Sequence, residues 1–377
     1  MKIAQLAPLW ERVPPKTYGG IELVVSLLTE ELIRRGHEVT LFASGDSETK
    51  ATLEAVHPRA IRLDAKVQNY KVYELLQLNR AYERAEDFDI IHSHMGYAAL
   101  SHAKLVRTPT LHTLHGDFDA DREKIYDEEQ HQPFVSISNA QRRFKPNLNY
   151  VATIYNGIDL DSHQFFPKPN PTPYLAFLGR MCEEKGAHLA IEIARKAEIP
   201  LKMAGKIDDE HREYYGQKVE PFVDGKFIQF LGEVDHEEKN RLLGGAIATL
   251  FPITWNEPFG LVMIESMAAG TPVIAMRMGS TPEVVADRKT GFLCDRIEGC
   301  VEAVAQVARI HRPTCRQHVA QRFSVAAMVD GYEAVYRQML SRQLSRQVQG
   351  DPLLNPQPAH PELSMPPILP IPSVPKT

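Results

Sequence analysis

Cysteine and long apolar runs are both scarce in this chain of 377 residues. Its four cysteines form no C-x-x-C pair and stand at no zinc-site spacing from histidine, so neither a disulfide framework nor a structural metal is indicated. Nowhere do about 18 uncharged apolar residues follow one another, so no transmembrane helix is predicted. The apolar run at 1–8 is too short for a signal-peptide core; no export is expected, and a cytoplasmic location fits best.

An excess of positive charge is also missing. Lys and Arg number 43 against 48 Asp and Glu, which gives a net charge of −5, whereas binding along nucleic acid needs a basic face. Nucleic acid is therefore not expected as a partner. One basic stretch, residues 141–145, would suit peripheral contact with anionic lipid at the inner membrane face, although a solvated helix face is the favoured interpretation.

Length and periodicity predict an α/β protein with two doubly wound, Rossmann-like domains that face each other across a cleft. Short β-rich runs alternate with amphipathic helical stretches, beginning with a strand at 3–7, a helix at 20–35 and a strand at 39–43. Prolines at every second position from Pro167 to Pro173 interrupt this alternation, which then restarts. The predicted organisation is a first domain at 1–160, a linker at 161–173, a second domain at 174–323, a closing helix at 324–342 and a disordered or polyproline-like tail at 347–377.

Open sheets of this kind bind ligands at the carboxyl ends of their strands, so the strand-to-helix loops carry the candidate site residues. The loop at 178–186 opens the second domain and places Arg180 and Lys185 in the crevice. An arginine fork and a lysine point charge together suit a diphosphate. The alternative is that both are solvated charges that pair with Glu183 and Glu184.

The second candidate loop, residues 254–265, follows a predicted strand and runs into a helix. Its glutamates Glu257 and Glu265 lie eight residues apart and can face one cleft only if the loop bends. Gly260 and Leu261, at the start of the helix, offer backbone N–H groups suited to an anion. The alternative is that Glu257 merely offsets the positive end of the helix and that Glu265 is an exposed helical residue.

Two weaker signals come from the first domain. Gly20 follows Gly19 at the start of a helix, where backbone can approach a phosphate or sugar closely, although a double glycine more often marks a turn. The G-x-G-x-x-G spacing of dinucleotide-binding enzymes is absent. His112 and His115 end a strand, and one of them should point toward the cleft unless it is structural; the histidines at 89–94 are interpreted as packing or acceptor-side residues.

Taken together, these motifs resemble the retaining glycosyltransferases of family four, which have the two-domain GT-B fold. The resemblance spans residues 1 to about 342, and its most specific element is the E-x7-E pattern. The family has two glycines where this chain has Gly279-Ser280, and it does not account for the proline-rich tail. The matching segments are YGGIE at 18–22, TLHG at 113–116, YNGID at 155–159, LGRMCEEKG at 178–186, NEPFGLVMIE at 256–265 and AAGTPVIA at 268–275.

The resemblance implies transfer of a sugar from a nucleotide-diphosphate donor, a UDP-sugar by default, with retained anomeric configuration and no metal or other cofactor. The acceptor would be a sugar, a lipid or a small molecule. By position, Glu257 and His115 would be the catalytic residues, in contact with the donor sugar. Donor binding would fall to Arg180 and Lys185 at the diphosphate, to Glu265 at the ribose, and to the backbone of Gly20, Gly260 and Leu261.

Two other functions stay open on the sequence. The fold could bind nucleotide sugars without turnover, as a scaffold whose tail recruits partners through proline motifs. The intact set of Arg180, Lys185, Glu257 and Glu265 argues against such decay. A nicotinamide-dependent oxidoreductase is disfavoured by the missing glycine fingerprint.

Overall fold

The computed structural model describes residues 1–17, 19–116 and 118–348, and the predicted tail lies outside them from residue 349 onward. The first domain has strands β1 (Lys2–Leu6), β2 (Glu38–Phe42), β3 (Thr52–Glu54), β4 (Ile90–Ser93), β5 (Thr110–Leu114), β6 (Phe134–Ser136) and β7 (Tyr150–Thr153). Its helices are α1 (Gly20–Arg34), α2 (Tyr70–Glu83), α3 (Leu100–Ala103), α4 (Ala120–Glu128) and α5 (Asn139–Arg142).

The second domain repeats the alternation of strand and helix. Its strands are β8 (Leu175–Leu178), β9 (Leu201–Ala204), β10 (Ile228–Phe230), β11 (Ala248–Phe251), β12 (Val273–Met276) and β13 (Gly291–Cys294). Its helices are α6 (Ala187–Ala197), α7 (Arg212–Lys218), α8 (His236–Gly245), α9 (Leu261–Ala268), α10 (Thr281–Val284), α11 (Ile297–Gln306) and α12 (Arg312–Arg322), and α13 (Val325–Val348) closes the described chain.

Each domain is built on one parallel sheet, which confirms the predicted fold class. The strand order is β3-β2-β1-β4-β5-β6-β7 in the first sheet and β10-β9-β8-β11-β12-β13 in the second. Strand order reverses between β1 and β4 in the first sheet and between β8 and β11 in the second, and crevices at such switch points are where open sheets bind ligands. The loops after β8 and β11 are the two candidate loops, at 178–186 and 254–265.

The closing helix α13 returns from the second domain to the first. Tyr332 and Tyr336 are fully buried and pack in one core with Ile3, Leu28 and Ile90 of the first domain. The helix continues to Val348, six residues beyond the end predicted at 342. Among the described residues, no helix is both long and apolar enough to span a membrane.

Two short edge strands of the structure were not predicted from the sequence. The strand β3 is three residues long and pairs with β2 at the rim of the first sheet, and β13 pairs with β12 at the rim of the second. A strand needs about four to eight residues for a readable two-residue alternation, so β3 is too short and β13, with four residues, is at the lower limit. Both depend on the neighbouring strand for their conformation.

Polar contacts join the two domains beside the cleft. Thr17 donates a hydrogen bond from its hydroxyl to Glu233, at 3.0 Å. The carboxylate of Glu283, from the second domain, accepts from the backbone amides of Asn139 and Ala140 at 2.8 and 2.6 Å, and from the hydroxyl of Tyr155 at 2.9 Å. These contacts fix how the two sheets face each other.

Glu22, on the first turn of α1, is only 5% exposed, and its Oε1 accepts from the backbone amide of Glu11 at 3.3 Å. Burial raises its pKa from 4.5 to about 7, against the lowering effect of hydrogen bonds from backbone amides. Between these two values the folded state binds more protons than the unfolded state, so this group makes stability fall as pH rises.

We therefore expect Glu22→Gln to gain stability relative to wild type as pH rises. Because one pKa unit corresponds to about 1.4 kcal/mol, the gain should grow by about 2 kcal/mol between pH 5 and pH 8. Urea unfolding of both proteins at the two pH values measures it. A difference that stays constant with pH would contradict the raised pKa.

Candidate functional site

A cavity of about 750 Å³ lies between the domains, at the carboxyl ends of both sheets. The first domain contributes Gly20 and His115 to its wall. The second domain contributes the remaining predicted residues, which are Arg180, Lys185, Glu257, Gly260, Leu261 and Glu265. All eight sequence-predicted site residues therefore line one cleft.

The centre of the cleft holds an ion pair between its two candidate loops. Lys185 Nζ, in the loop after β8, donates to Glu257 Oε2, in the loop after β11. Their side chains are 17% and 10% exposed, and Lys185 Nζ lies 5.0 Å from the centroid of the Trp255 ring. Lys185 is thus held by a carboxylate and an aromatic face of the cleft, rather than by the neighbouring glutamates of its own loop.

Arg180 stands beside this pair in the same wall. Its Nη1 lies 3.9 Å from Asp208, whose carboxylate also contacts Lys206. The arginine side chain is 31% exposed and lines the cavity together with Lys206. Three cationic side chains, Arg180, Lys185 and Lys206, thereby surround the same space, and an anionic ligand would find its counter-charges there.

Glu265 lies deeper in the wall, on the second turn of α9. It is 5% exposed and accepts from Lys239 Nζ at 2.5 Å. Burial acts to raise the pKa of this carboxyl, but the charges of Lys239 and His163 outweigh burial and hold the pKa below its usual value. Glu265 is therefore a charged acceptor, and the alternative interpretation, that it is an exposed helical residue, is wrong.

Two helix N-termini approach the cleft from opposite domains. The first is Gly20 at the start of α1, and the second is Gly260, the N-cap of α9, with a φ of +78° that favours glycine. A Cβ on Gly20 would lie 3.4 Å from Leu261 Cδ1 of the other domain. The positive ends of both helices thus meet across a narrow gap, which suits an anion bound between them.

The turn at Gly279 and Ser280 holds the backbone of Glu257 in place, a role that the sequence did not predict. Gly279 has a φ of +56°, and a Cβ there would come within 2.5 Å of the Glu257 backbone. The next residue, Ser280, donates its backbone amide to the Glu257 carbonyl at 2.9 Å and its hydroxyl to the Phe259 carbonyl at 2.8 Å. Glycine at 279 is therefore required by close approach, while serine at 280 supplies a hydrogen bond that glycine lacks.

His115 is the strand-end histidine that reaches the cleft. Its Nε2 is 2.8 Å from Nδ1 of the buried His94, and burial lowers the pKa of His115 to about 4. The imidazole is therefore neutral near pH 7, and it acts as a hydrogen-bonding group rather than as a cation. His112, three residues earlier on β5, is only 1% exposed and does not line the cavity.

The cleft also presents polar atoms that have no partner among the described residues. Trp255 Nε1 is a buried donor, and Asn156 Oδ1 is a buried acceptor on a residue only 4% exposed. Both residues line the cavity. Buried polar groups are almost always hydrogen-bonded, so a ligand with hydroxyl groups would satisfy what the protein leaves unpaired.

One cluster of possible metal ligands lies beside the cleft. The ligand atoms of Cys182, Glu184 and His211 lie within 4.8 Å of one another. Burial, with a hydrogen bond to Glu184, raises the pKa of the Cys182 thiol to about 11. A thiol that stays protonated is a poor metal ligand, so the cluster is better described as a thiol–carboxylate contact that shapes the loop.

The basic stretch at 141–145 has local partners in the structure. Arg142 packs over the Tyr150 ring with its guanidinium carbon 4.8 Å from the centroid, and Lys145 pairs with Asp127 at 2.6 Å. The backbone carbonyls of Leu114 and Gly116 accept from the Gln141 amide. These contacts give the stretch a structural role at the end of β5.

The buried pair of Lys239 and Glu265 yields a stability prediction. Lys239→Met leaves the Glu265 carboxylate buried without its partner, which should lower the free energy of unfolding by about 3 kcal/mol. Adding Glu265→Gln removes the stranded charge, so the double variant should recover part of the loss. Urea unfolding of wild type, the two single variants and the double variant checks this, and additive losses would show that the two side chains do not interact.

Sequence comparisons place both halves of the chain among glycosyltransferases. A family model described as "Glycosyltransferase Family 4" matches residues 18–162, and one described as "Glycosyl transferases group 1" matches residues 160–316. A phosphatidyl-myo-inositol mannosyltransferase of Mycobacterium leprae is 27% identical over 373 residues, which cover 89% of this chain and 92% of that protein. The similarity therefore extends over both domains.

Solved structures show the same fold. Sucrose-phosphate synthase of Thermosynechococcus elongatus matches with a TM-score of 0.74 at 21% identity, over 91% of this chain and 100% of that protein. Anabaena HepE in complex with UDP and glucose matches with a TM-score of 0.67 at 18% identity, over 90% of this chain and 100% of that one. The chain belongs to the group 1 glycosyl transferases of glycosyltransferase family 4, and it is a glycosyltransferase with the GT-B fold.

Proposed function

We propose that this glycosyltransferase moves a sugar from a nucleotide-diphosphate donor to its acceptor with retained anomeric configuration and without a metal ion. The observation that carries the proposal is the convergence of cations, helix N-termini and one carboxylate in a single cleft. Arg180 and Lys185 supply the cations, Gly20 and Gly260 begin the helices, and Glu257 is the carboxylate. A nucleoside diphosphate needs such a cradle of positive charge, and an electron-poor sugar carbon needs a nearby anion.

The diphosphate would bind in competition with Glu257. In the structure Lys185 is paired with that carboxylate, so an incoming phosphate oxygen has to replace the Glu257 carboxylate as the partner of Lys185. As the donor bond breaks, negative charge grows on the phosphate, and preoriented Arg180 and Lys185 with the α9 amides stabilise that charge. This arrangement supplies the electrophilic help that a metal ion gives in other enzymes.

Glu257 would then act on the sugar. Once Glu257 is released from Lys185, its backbone is still held by the hydrogen bond from the Ser280 amide to the Glu257 carbonyl, so its carboxylate remains beside the phosphate site. A sugar that loses its leaving group gains positive charge, which a fixed carboxylate stabilises. We favour this electrostatic role, with attack from the same face as departure, over a covalent intermediate on Glu257.

Glu265 and His115 would orient the donor at its two ends. Glu265 is a charged acceptor anchored by Lys239, which suits hydrogen bonds from ribose hydroxyls. His115 is neutral because burial lowers its pKa to about 4, so it would contact a sugar hydroxyl through a hydrogen bond. Closure of the two domains would exclude water, which otherwise competes with the acceptor.

The donor base that we propose is uracil. Support comes from Anabaena HepE, a neighbour in fold that was solved with UDP and glucose. The acceptor would be a sugar, a lipid or a small molecule, and the relative named for phosphatidyl-myo-inositol supports a lipid-linked polyol within that range. An inactive nucleotide-sugar-binding scaffold is the alternative function, and turnover separates the two.

Glu257→Gln should abolish most of the turnover while the donor still binds. Loss of one preorganised charge at a transition state costs on the order of 100-fold in kcat. Glu192→Gln is the matched control, because Glu192 is an exposed carboxylate that pairs with Lys196 on α6. Release of UDP from UDP-sugars, with candidate acceptors present and absent and with EDTA added, measures the effect.

Equal turnover by wild type and Glu257→Gln would remove Glu257 from the mechanism. Absence of turnover in wild type with every donor, despite binding, would favour the scaffold. A loss of activity with EDTA would contradict metal independence.

Donor binding itself should show as thermal stabilisation. A nucleotide sugar at 100 times its Kd stabilises the folded state by about 2.7 kcal/mol, so a screen of UDP-, GDP- and ADP-sugars should give its largest shift with a UDP-sugar. Lys185→Met should lose the shift, whereas Lys196→Met, which removes an exposed lysine, should keep it. A larger shift with another base would overturn the UDP assignment.

A further inference from the structure

A continuous row of buried hydrogen bonds runs from the cleft to the closing helix. It begins with His115 Nε2 and His94 Nδ1, 2.8 Å apart, and continues from His94 Nε2 to Gln5 Oε1 at 3.1 Å. The Gln5 amide nitrogen then contacts the Tyr336 hydroxyl at 3.3 Å, and this hydroxyl lies 2.7 Å from His92 Nδ1. The row therefore connects β1, β4, the end of β5 and α13.

The row ends beyond His92, at a threonine and a second tyrosine. His92 Nε2 lies 2.7 Å from the Thr113 hydroxyl, which lies 3.1 Å from the hydroxyl of Tyr332. Every member except His115 is at most 2% exposed. Water does not reach these groups, so each must be satisfied by its neighbours in the row.

The amide of Gln5 sets the direction of the hydrogen bonds on both sides. Its oxygen can only accept, so His94 carries its proton on Nε2 and presents a bare Nδ1. His115 must then donate from Nε2 to that nitrogen. On the other side the Gln5 NH₂ group donates to Tyr336, whose hydroxyl in turn donates to His92 Nδ1.

All three imidazoles in the row are neutral. Burial lowers the pKa of His92 and of His94 well below the usual range, and the neighbouring histidines act in the same direction. Burial alone lowers the pKa of His115. A neutral imidazole carries one proton, and the row assigns that proton to one nitrogen of each ring.

We propose that Gln5, His94 and Tyr336 are positioning residues that hold His115 as the Nε2–H tautomer and leave its Nδ1 as a hydrogen-bond acceptor at the cleft. This role rests on the proposed function, because the group it serves is a hydroxyl of the donor sugar. Nδ1 makes no hydrogen bond to any residue that the structure describes, and His115 lines the cavity. The tautomer selects a ligand that donates a hydrogen bond.

The closing helix thereby takes part in the site. Tyr336 lies 331 positions from Gln5 along the chain, yet its hydroxyl accepts the hydrogen bond from the Gln5 NH₂ group in the orientation that the structure shows. Without its hydroxyl, each orientation of the amide leaves one polar group of Gln5 unpaired, so the preference is lost. His94 and His115 would then populate both tautomers.

The direct test reads the His115 tautomer by NMR of ¹⁵N-histidine-labelled protein, since a bare and a protonated imidazole nitrogen differ in chemical shift. We expect a protonated Nε2 and a bare Nδ1 in wild type, with the signals assigned by their loss in His115→Asn. Wild-type protein with a proton on Nδ1, or on both nitrogens, near pH 7 would overturn the proposal. This measurement needs no turnover, so it is decided even if the proposed function fails.

Two tyrosine variants on one helix test the effect on catalysis. Tyr336→Phe should lower kcat for donor turnover about tenfold, the equivalent of about 1.4 kcal/mol, with KM for the donor changed less than about twofold. In the same protein the His115 signals should report both tautomers. Tyr332→Phe is the matched control: Tyr332 is equally buried, but its hydroxyl bonds to Thr113, at the end of the row far from Gln5 and His115.

The control should keep both wild-type kcat and the wild-type His115 signals. Equal losses of kcat in the two variants, or a Tyr336→Phe protein with an unchanged His115 tautomer, would show that the row is only structural. Thermal melting of both variants shows whether they fold alike.

Discussion

The ion pair between Lys185 and Glu257 is the interaction on which the rest of the site depends. Both groups are largely withdrawn from water, and removal of either partner alone would strand a charge in the cleft. Such a pair is poorly suited to stabilise a fold, since two apolar side chains would often do as well. It is well suited to a site where an anion and a cationic sugar carbon each take one partner of the pair.

The two parallel sheets explain why the pair forms at all. The loops after β8 and β11 leave adjacent strands at the point where strand order reverses, so their ends meet although 72 residues separate Lys185 from Glu257. The facing domain adds the N-terminus of α1 and His115. The α13 helix leaves the second domain and packs in the core of the first. The interdomain hydrogen bonds of Glu283 hold the two sides of the cleft in a fixed relative position.

Patterns that are local in sequence were enough to predict the fold and to select the residues that line the cleft. Alternating strands and helices gave both sheets, and the position of Lys185 and Glu257 directly after strands placed them at the carboxyl edge. Partners that arrive from elsewhere were not predictable. Lys239 reaches Glu265 across 26 positions, and Tyr336 reaches Gln5 only because α13 folds back on the first domain.

Other features of the structure were not predicted from the sequence, for equally physical reasons. The Gly279-Ser280 turn carries no charge, and its importance appears only when the Glu257 backbone is seen within contact of Gly279. The histidines of β4 were interpreted as packing or acceptor-side residues, because a strand pattern does not show that Gln5 and Tyr336 lie beside them. The three-residue strand β3 is too short for a readable period.

A crystal structure of the protein with UDP bound tests the central claim most directly. The account predicts that the diphosphate lies in the interdomain cleft on Lys185 and Arg180, that the ribose hydroxyls contact Glu265, and that Glu257 has separated from Lys185. A nucleotide bound elsewhere, or one in the cleft beside an intact Lys185–Glu257 pair, would contradict it.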